Sequence, residues 1–367
     1  MLLVLLLNVA YVLLLLMFAT SFRKGVQTRV PLPLQLPLVT VIIPVRNEDA
    51  HLLQLLNSLQ GQDYPPDLTE WIFVDDHSSD QSAEILKQRT DQRIKIIRLE
   101  GNAAGKKAAL SAGIQQARGK WIITTDADCI HPAGWVSALV GEAETTGAVM
   151  VCGLVEIGDG ETAALRFQQM ETAVLQVSGA GSLRMGHALL NTGTSLCFLK
   201  EAWQQINGYD AHTHIASGDD TFLMLRFMQK FPGKVVPLIN STAVVNTQPA
   251  DSWKKMLQQR IRWNGKVRHY PPGSVHLTGF IVFFSGLLWL ITGLIIKNPV
   301  VGLGIFTGVF LLRAMAEGVV LRSWKTVTGQ SFSPAAILLM SFFYPVFTLY
   351  SLIIRPFMKV EWKGRKV

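Results

Sequence analysis

The sequence predicts an α/β domain on a mainly parallel sheet, flanked by transmembrane helices at both ends. Three observations predict it. Apolar runs long enough to cross a bilayer stand at both ends of the chain. Between them, short β-branched runs alternate with helical patterns. Two of those runs stop in acidic pairs. The 367 residues are 49% hydrophobic and 16% charged, with a mean hydropathy of +0.29. Soluble domains carry about a quarter charged residues, so the apolar excess points to lipid.

Met1 to about Thr20 carries no charge. About twenty apolar residues cross a bilayer as a helix. A cleaved signal peptide is the rival reading, but the run lacks a basic start and a small-x-small cleavage site. We read an uncleaved anchor over residues 1–22. Arg23 and Lys24 follow it, which puts the next segment in the cytoplasm.

The middle domain, 38–270, opens with Leu38-Val-Thr-Val-Ile-Ile43, a buried strand that Pro44 is expected to end. From Glu48 to Gln60 the leucines at 52, 53, 55, 56 and 59 mark a helical face. Trp71 to Val74 is a second strand. It stops in Asp75-Asp76-His77-Ser78-Ser79-Asp80, rich in capping side chains for a helix through Ala83 to Leu86. Arg93 to Leu99 is a third strand, and Lys106 to Ala117 an Ala-rich helix. Trp121 to Thr125 is a fourth strand, ending in Asp126-Ala127-Asp128. Such alternation gives right-handed crossovers and a parallel sheet, whose ligands bind beyond the carboxyl ends of the strands. Four carboxylates, Asp75, Asp76, Asp126 and Asp128, are thereby brought toward one crevice.

Three more apolar stretches, about Leu277 to Ile296, Val300 to Leu321 and Ala335 to Ile354, form a C-terminal membrane region over 276–356. Three spans would leave Lys359, Lys363, Arg365 and Lys366 outside, against the positive-inside tendency. One segment lying in the interface or re-entering would remove the conflict. Arg313 and Glu317 stand four apart inside the second stretch. Charges there need partners, so an internal ion pair is expected; contact with a polar acceptor is the other reading.

The net charge of +8 and pI near 9.4 fit attraction to anionic headgroups. No nucleic-acid-binding motif accompanies them, so membrane lipids and not nucleic acid are the expected partners. Cys129, Cys152 and Cys197 have no paired spacing and read as free thiols of a reducing compartment.

The acidic pairs carry the first chemistry. Two carboxylates at a strand end suit a hard divalent cation, which keeps water and substrate phosphate in its other positions; a surface loop or helix cap is the bland alternative. Asp75 and Asp76 can accept from a base or ribose, or merely cap the next helix. Gly105-Lys106-Lys107 opens a helix, where backbone N–H groups favour an anion and Lys106 adds charge. Gly218-Asp219-Asp220 precedes an apolar helical pattern, so its carboxylates can cap that helix or take a proton from an attacking hydroxyl. In Gln259-Arg260-Ile261-Arg262-Trp263, residues 259, 262 and 263 share one helical face. They offer an amide, a guanidinium suited to phosphate and a flat ring; an interfacial helix beside headgroups is the alternative.

Together, Asp75-Asp76, Asp126-Ala127-Asp128, Asp219-Asp220 and Gln259-x-x-Arg262-Trp263 occur in the order seen in family 2 inverting glycosyltransferases, and Val41 to Glu48 resembles that family's first strand. The resemblance spans nearly all of 38–270. With the flanking segments it is similar to polysaccharide synthases and ceramide glucosyltransferase. It implies a GT-A fold and a divalent metal, Mg²⁺ or Mn²⁺. It also implies roles: Asp76 at the uracil or ribose, Asp126 on the donor, Asp128 on the metal, Asp220 as catalytic base. Gln259 and Arg262 would steady the diphosphate of a UDP-sugar, and Trp263 with Asp219 would meet the acceptor. Synthases often carry Thr-Glu-Asp where Gly218-Asp219-Asp220 stands, so the shorter Asp219 departs from the pattern. The expected enzyme sits in the cell membrane with its catalytic domain cytoplasmic. It transfers sugar to a lipid-linked acceptor, against the alternatives of a processive polysaccharide synthase or a non-catalytic nucleotide-sugar-binding subunit.

Overall fold

The computed structural model describes residues 1–367 except 90, 102, 161, 210–218, 268, 272, 293–295, 359, 360, 363, 364 and 367; at 219, 267, 356, 361, 362, 365 and 366 it describes the backbone alone. After helix α1 (Leu2–Lys24) and a two-residue strand β1 (Val26–Gln27), the chain alternates β2 (Val39–Val45), α2 (Asp49–Gln60), β3 (Thr69–Asp75), α3 (Ser82–Lys87), β4 (Ile94–Arg98), α4 (Lys106–Gln116) and β5 (Trp121–Thr124). Then come β6 (Cys129–Ile130), α5 (Trp135–Thr146), β7 (Met150–Cys152), β8 (Val155–Ile157), the long α6 (Ala163–Arg184), β9 (Leu196–Leu199), α7 (Lys200–Gln205), α8 (Asp219–Lys230), β10 (Val235–Pro237), β11 (Ile239–Asn240) and β12 (Val245–Thr247). Helices α9 (Trp253–Val267), α10 (Ser274–Leu290), α11 (Pro299–Thr328) and α12 (Pro334–Ile354) follow.

The main sheet runs β10-β7-β9-β5-β2-β3-β4. All neighbours are parallel except at β9, which is antiparallel to both β5 and β7. Successive side chains of a strand point to opposite faces, and here each face has its own core. Val41, Ile43, Trp71, Phe73 and Ile123 enter one with α2 and α5. Ile42, Ile72, Val74 and Ile122 enter the other with α4, α7 and α8. A sheet covered on both faces needs unbroken apolar strands, which is why β2 and β3 read as runs.

Pro44 does not end the first strand: it lies within β2, opposite Val74. The Thr125 N–H donates to the Ile42 carbonyl, so residues 42 and 44 face β5, whose pairing stops at Ile42. No partner remains there for a residue-44 N–H, so a proline costs no ladder bond. Short strands β6, β12 and β8 form a second sheet just past the Asp126–Asp128 turn.

Among the described residues three helices have the length and apolarity to cross a membrane: α1, α11 and α12. The described part of the 277–296 stretch is the shorter α10. A third core joins Tyr11, Leu15, Ala19 and Phe22 of α1 to Phe167, Met170, Ala173 and Val177 of α6, and to Ala316, Val320 and Trp324 of α11. A Cβ at Gly181 would come within 2.3 Å of the Phe18 carbonyl oxygen, so α6 can approach α1 this closely only with glycine there.

Helix α12 passes beside α9 instead of leaving it. Tyr344 and Phe347 pack on Phe167, which also meets Trp253 at the start of α9. Near the other end, Asn264 Nδ2 donates to Ser351 Oγ at 3.1 Å.

The expected Arg313–Glu317 ion pair is not formed; a tyrosine stands between the charges. Arg313, 1% exposed, donates to Asn8 Oδ1 at 2.9 Å and Ser285 Oγ at 3.1 Å. Its guanidinium lies 4.0 Å from the Tyr11 ring centre. Tyr11 OH then donates to Glu317 Oε1 at 2.8 Å, and Ser341 donates to the other oxygen. Four-residue spacing put the two on one helical face, but the aromatic ring separating them belongs to another helix.

Candidate active site

The crevice lies beyond the carboxyl ends of β2, β3 and β5. Its rim is two interlocked turns. Asn47, in the left-handed region at φ 52°, accepts from the Ser79 N–H at 2.8 Å. The Glu48 N–H donates to Ser82 Oγ, and the Asp49 N–H to Asp80 Oδ2.

Asp75 and Asp76 end β3, both 2% exposed. Asp75 Oδ1 accepts from the Ser78 N–H at 3.0 Å, and its other oxygen lies 3.7 Å from Arg98 Nε. Asp75 therefore shapes the turn. Asp76 Oδ2 accepts from the Gly105 N–H at 3.0 Å, while Arg46 donates to the Asp76 carbonyl at 2.8 Å. The anion expected at the start of α4 is thus met first by Asp76 itself. Gly105 has φ 95°, and a Cβ there would touch nothing within 4 Å; glycine is required by the backbone angle, not by crowding.

From the first turn of α4, Lys106 Nζ reaches Asp126 Oδ1 at 2.5 Å. The other Asp126 oxygen accepts from Thr194 Oγ1 at 2.9 Å. Asp128 Oδ1 accepts from the Cys129 thiol at 3.3 Å. Beneath this turn, His131 Nε2 meets Thr125 Oγ1 at 2.8 Å. Burial drives the His131 pKa down to about 3, so the ring is a neutral support. Among the described residues no three His, Cys, Asp or Glu side chains form a cage. The donor set at the turn is two half-buried carboxylates, which suits a hard cation completed by water and phosphate oxygens.

Across the crevice, Asp220 stands in the first turn of α8, its side chain 16% exposed. Oδ1 accepts from the Thr221 N–H at 2.6 Å and lies 3.4 Å from Lys266 Nζ. Burial alone would raise its pKa. Lys266, the Thr221 N–H and Lys106 outweigh that and hold it below the ordinary 3.8. Lys106 thereby couples the two halves of the crevice. The Asp219 side chain and Gly218 lie outside the described residues.

Gln259 and Arg262 are half-buried on α9, with Arg262 one turn before Lys266. The Trp263 ring centre lies 4.6 Å from the Arg260 guanidinium, and Arg260 is ion-paired to Glu171 of α6. The structure thus joins Lys106 to Asp126 and Lys266 to Asp220, and places Asp76 at the base of the helix that carries Lys106. Sequence reasoning missed Lys266, Thr194 and Glu171. Lys266 was within reach, because it shares the face of Arg262 at i+4. Thr194 gave no signal, since it arrives on the loop into the antiparallel β9.

A doubly covered, mainly parallel sheet with an Asp-x-Asp turn facing the crevice is a GT-A-type glycosyltransferase scaffold. The glycosyl transferase family 2 model matches residues 40–206, and the chain is a glycosyltransferase that carries a domain of that type. It is 26% identical over 268 residues to the glycosyltransferase AglE of Haloferax volcanii, covering 72% of this chain and 83% of AglE. It is 28% identical over 243 residues to the probable glycosyltransferase YdaM of Bacillus subtilis, covering 62% of this chain and 55% of YdaM. A shorter match, 37% over 119 residues, is to the undecaprenyl-phosphate 4-deoxy-4-formamido-L-arabinose transferase of Pseudomonas fluorescens, covering 31% of this chain and 34% of that enzyme. In fold, the chain resembles the mannosyltransferase PcManGT of Pyrobaculum calidifontis, solved with GDP-Man and Mn2+. The TM-score is 0.57 at 15% identity, over 96% of this chain and 97% of that one.

Proposed function

We propose that this enzyme transfers a sugar from a UDP-sugar to a lipid-linked acceptor at the cytosolic membrane face by a single, inverting displacement. One observation carries the reading: Lys106–Asp126 and Lys266–Asp220 face one crevice, and α9, which supplies Lys266, is flanked by the apolar α12. The likeness of residues 40–206 to family 2 and the match to an undecaprenyl-phosphate transferase support it.

In this reading Asp76 and Asp75 serve the base and ribose side, and Lys106, Gln259 and Arg262 bind the diphosphate. Asp126 and Asp128 would hold a Mg²⁺ or Mn²⁺ ion, which when bound neutralises charge on the leaving diphosphate. Asp220 accepts the proton of the acceptor hydroxyl as its oxygen bonds to the anomeric carbon and the bond to the β-phosphate breaks. A carboxylate held this low is a weak base, suited to receiving the proton late, when the attacking hydroxyl has become acidic. Trp263 and Asp219 lie on the acceptor side. The anchor over 1–22, the catalytic domain over 38–270 and the membrane region over 276–356 keep that acceptor at the cytosolic surface. Packing of α12 beside α9 supports the interfacial or re-entrant arrangement, which leaves the basic tail in the cytoplasm.

The test is nucleoside diphosphate release by the detergent-purified protein, with panels of UDP- and GDP-sugars, Mg²⁺ or Mn²⁺, and membrane lipid extract. EDTA and Asp220→Asn are the controls. Metal-dependent release from a UDP-sugar, with one sugar per labelled lipid, supports the reading. A ladder of products would replace it with a processive synthase. Binding of the donor without turnover would replace it with a non-catalytic subunit.

A further inference from the structure

We propose that Glu171 and Arg260 are a positioning pair that fixes Trp263, and through it the acceptor side of the crevice. The proposal deepens the functional reading above and rests on it for the role of Trp263. Arg260 occupies one of the two variable positions between Gln259 and Arg262, where the family pattern asks for no particular side chain. Yet its side chain is only 12% exposed, and its partner Glu171 6%. Burying two charges is costly unless geometry repays it, and a surface helix beside headgroups needs no such pair.

The pair links a fixed element to a functional one. Helix α6 is held at three places. Gly181 lies against the Phe18 carbonyl of α1. Gln168 exchanges two hydrogen bonds with Ala250, at 2.9 and 2.8 Å, in the loop that leads into α9. Gln169 donates to the Gly158 carbonyl at 2.6 Å. Glu171 follows within one turn of those glutamines and binds the Arg260 guanidinium. That guanidinium also faces the Trp263 ring at 4.6 Å, within the range of a cation–π contact. One face of the indole is therefore taken by Arg260. Three residues further along α9, Lys266 meets Asp220. The Glu171–Arg260 pair thus acts on the Trp263 ring itself, through the guanidinium held against its face, and leaves Gln259 and Arg262 in place on the helix.

The experiment uses the full-length protein in detergent, labelled with 5-fluorotryptophan. The Trp263 resonance is identified as the ¹⁹F signal absent from Trp263→Phe. Glu171→Gln and Arg260→Met should each move or broaden that signal. The exposed ion-pair variant Asp251→Asn should leave it unmoved. With the acceptor found by the release assay, the same two variants should raise acceptor KM by about ten- to a hundredfold, with UDP affinity held within about twofold. The conservative Arg260→Lys keeps a charge for Glu171 but loses the planar stack, and should recover only part of the loss.

An unmoved Trp263 signal in folded Glu171→Gln and Arg260→Met overturns the proposal. So does a parallel loss of UDP and acceptor binding, which marks a purely structural pair. If the signal moves but Trp263→Phe leaves acceptor KM unchanged, the positioning stands and the acceptor role of Trp263 falls.

Discussion

Two regions of this protein bury charge, and they do so in opposite ways. In the membrane helices Arg313 and Glu317 are enclosed by Asn8, Tyr11, Ser285 and Ser341. In the crevice Lys106, Asp126, Lys266 and Asp220 pair across a surface that keeps each side chain between 13% and 33% exposed. The first arrangement is closed and contributes specificity to helix packing. The second is open, and in the proposed function each of its pairs is exchanged for substrate phosphate, metal or hydroxyl. Polar groups meant for chemistry are paired loosely enough to be re-paired; polar groups meant for assembly are enclosed.

The sharpest break between the two regions is expected from Asp220→Asn. It should lower kcat by about 10²- to 10⁴-fold, the usual range for a lost general base, with donor binding unchanged and only a small loss of thermal stability from the lost Lys266 pairing. Near-normal turnover would instead assign an acceptor that is already ionised, such as a phosphate, because such a group needs no base. Arg313→Met should do the converse. Removing one member of an enclosed charged set leaves Glu317 uncompensated and costs about 3 kcal/mol or more. Thermal unfolding in detergent should show that loss, while the protein remaining folded keeps its affinity for UDP. An activity loss without a stability loss would move Arg313 out of the assembly region.

Gly181→Ala tests the seam between the regions. Its Cβ meets a backbone oxygen, which cannot swing away as a side chain would, so the cost should be about 1–3 kcal/mol. A neutral effect would show that α6 is not seated on α1. The smallest expected change is in Lys266→Met. Asp220 is held low against its burial chiefly by Lys266, so removing that charge raises the folded-state pKa. The acid limb of the kcat profile then moves to higher pH. The stability that an ionised Asp220 contributes, present above its ordinary pKa and lost as pH falls, is reduced with it. A limb that stays in place would assign the acid limb to another group.

The parallel half of the fold was legible because central strands buried on both faces are mostly apolar, and the middles of β2, β3 and β5 are such runs. Their acidic ends followed directly. The antiparallel β9 was not legible. Leu196–Leu199 is short and apolar, and nothing local sets its direction; that comes from pairing with β5 and β7, distant in sequence. Arg313 and Glu317 were seen as charges needing partners, but the intervening Tyr11 is some 300 positions away (306 from Glu317). Helix α6 gave no reading because its apolar face serves two masters, the sheet side through Leu183 and the membrane side through Phe167 to Val177.

The seating of α6 on α1 also bears on how the molecule is made. Synthesis proceeds from the N-terminus, so α1 is in place before α6 leaves the ribosome, and Phe18 is ready to receive Gly181. The other wall of the same core, Ala316 to Trp324 of α11, appears more than a hundred residues later. Until then Phe167, Met170 and Ala173 lack that wall, and Gln330, which donates to the Ile157 carbonyl, has not been made. The segment 38–270 is therefore complete in sequence before it is complete as a fold, because part of its third core is supplied by a helix made after it.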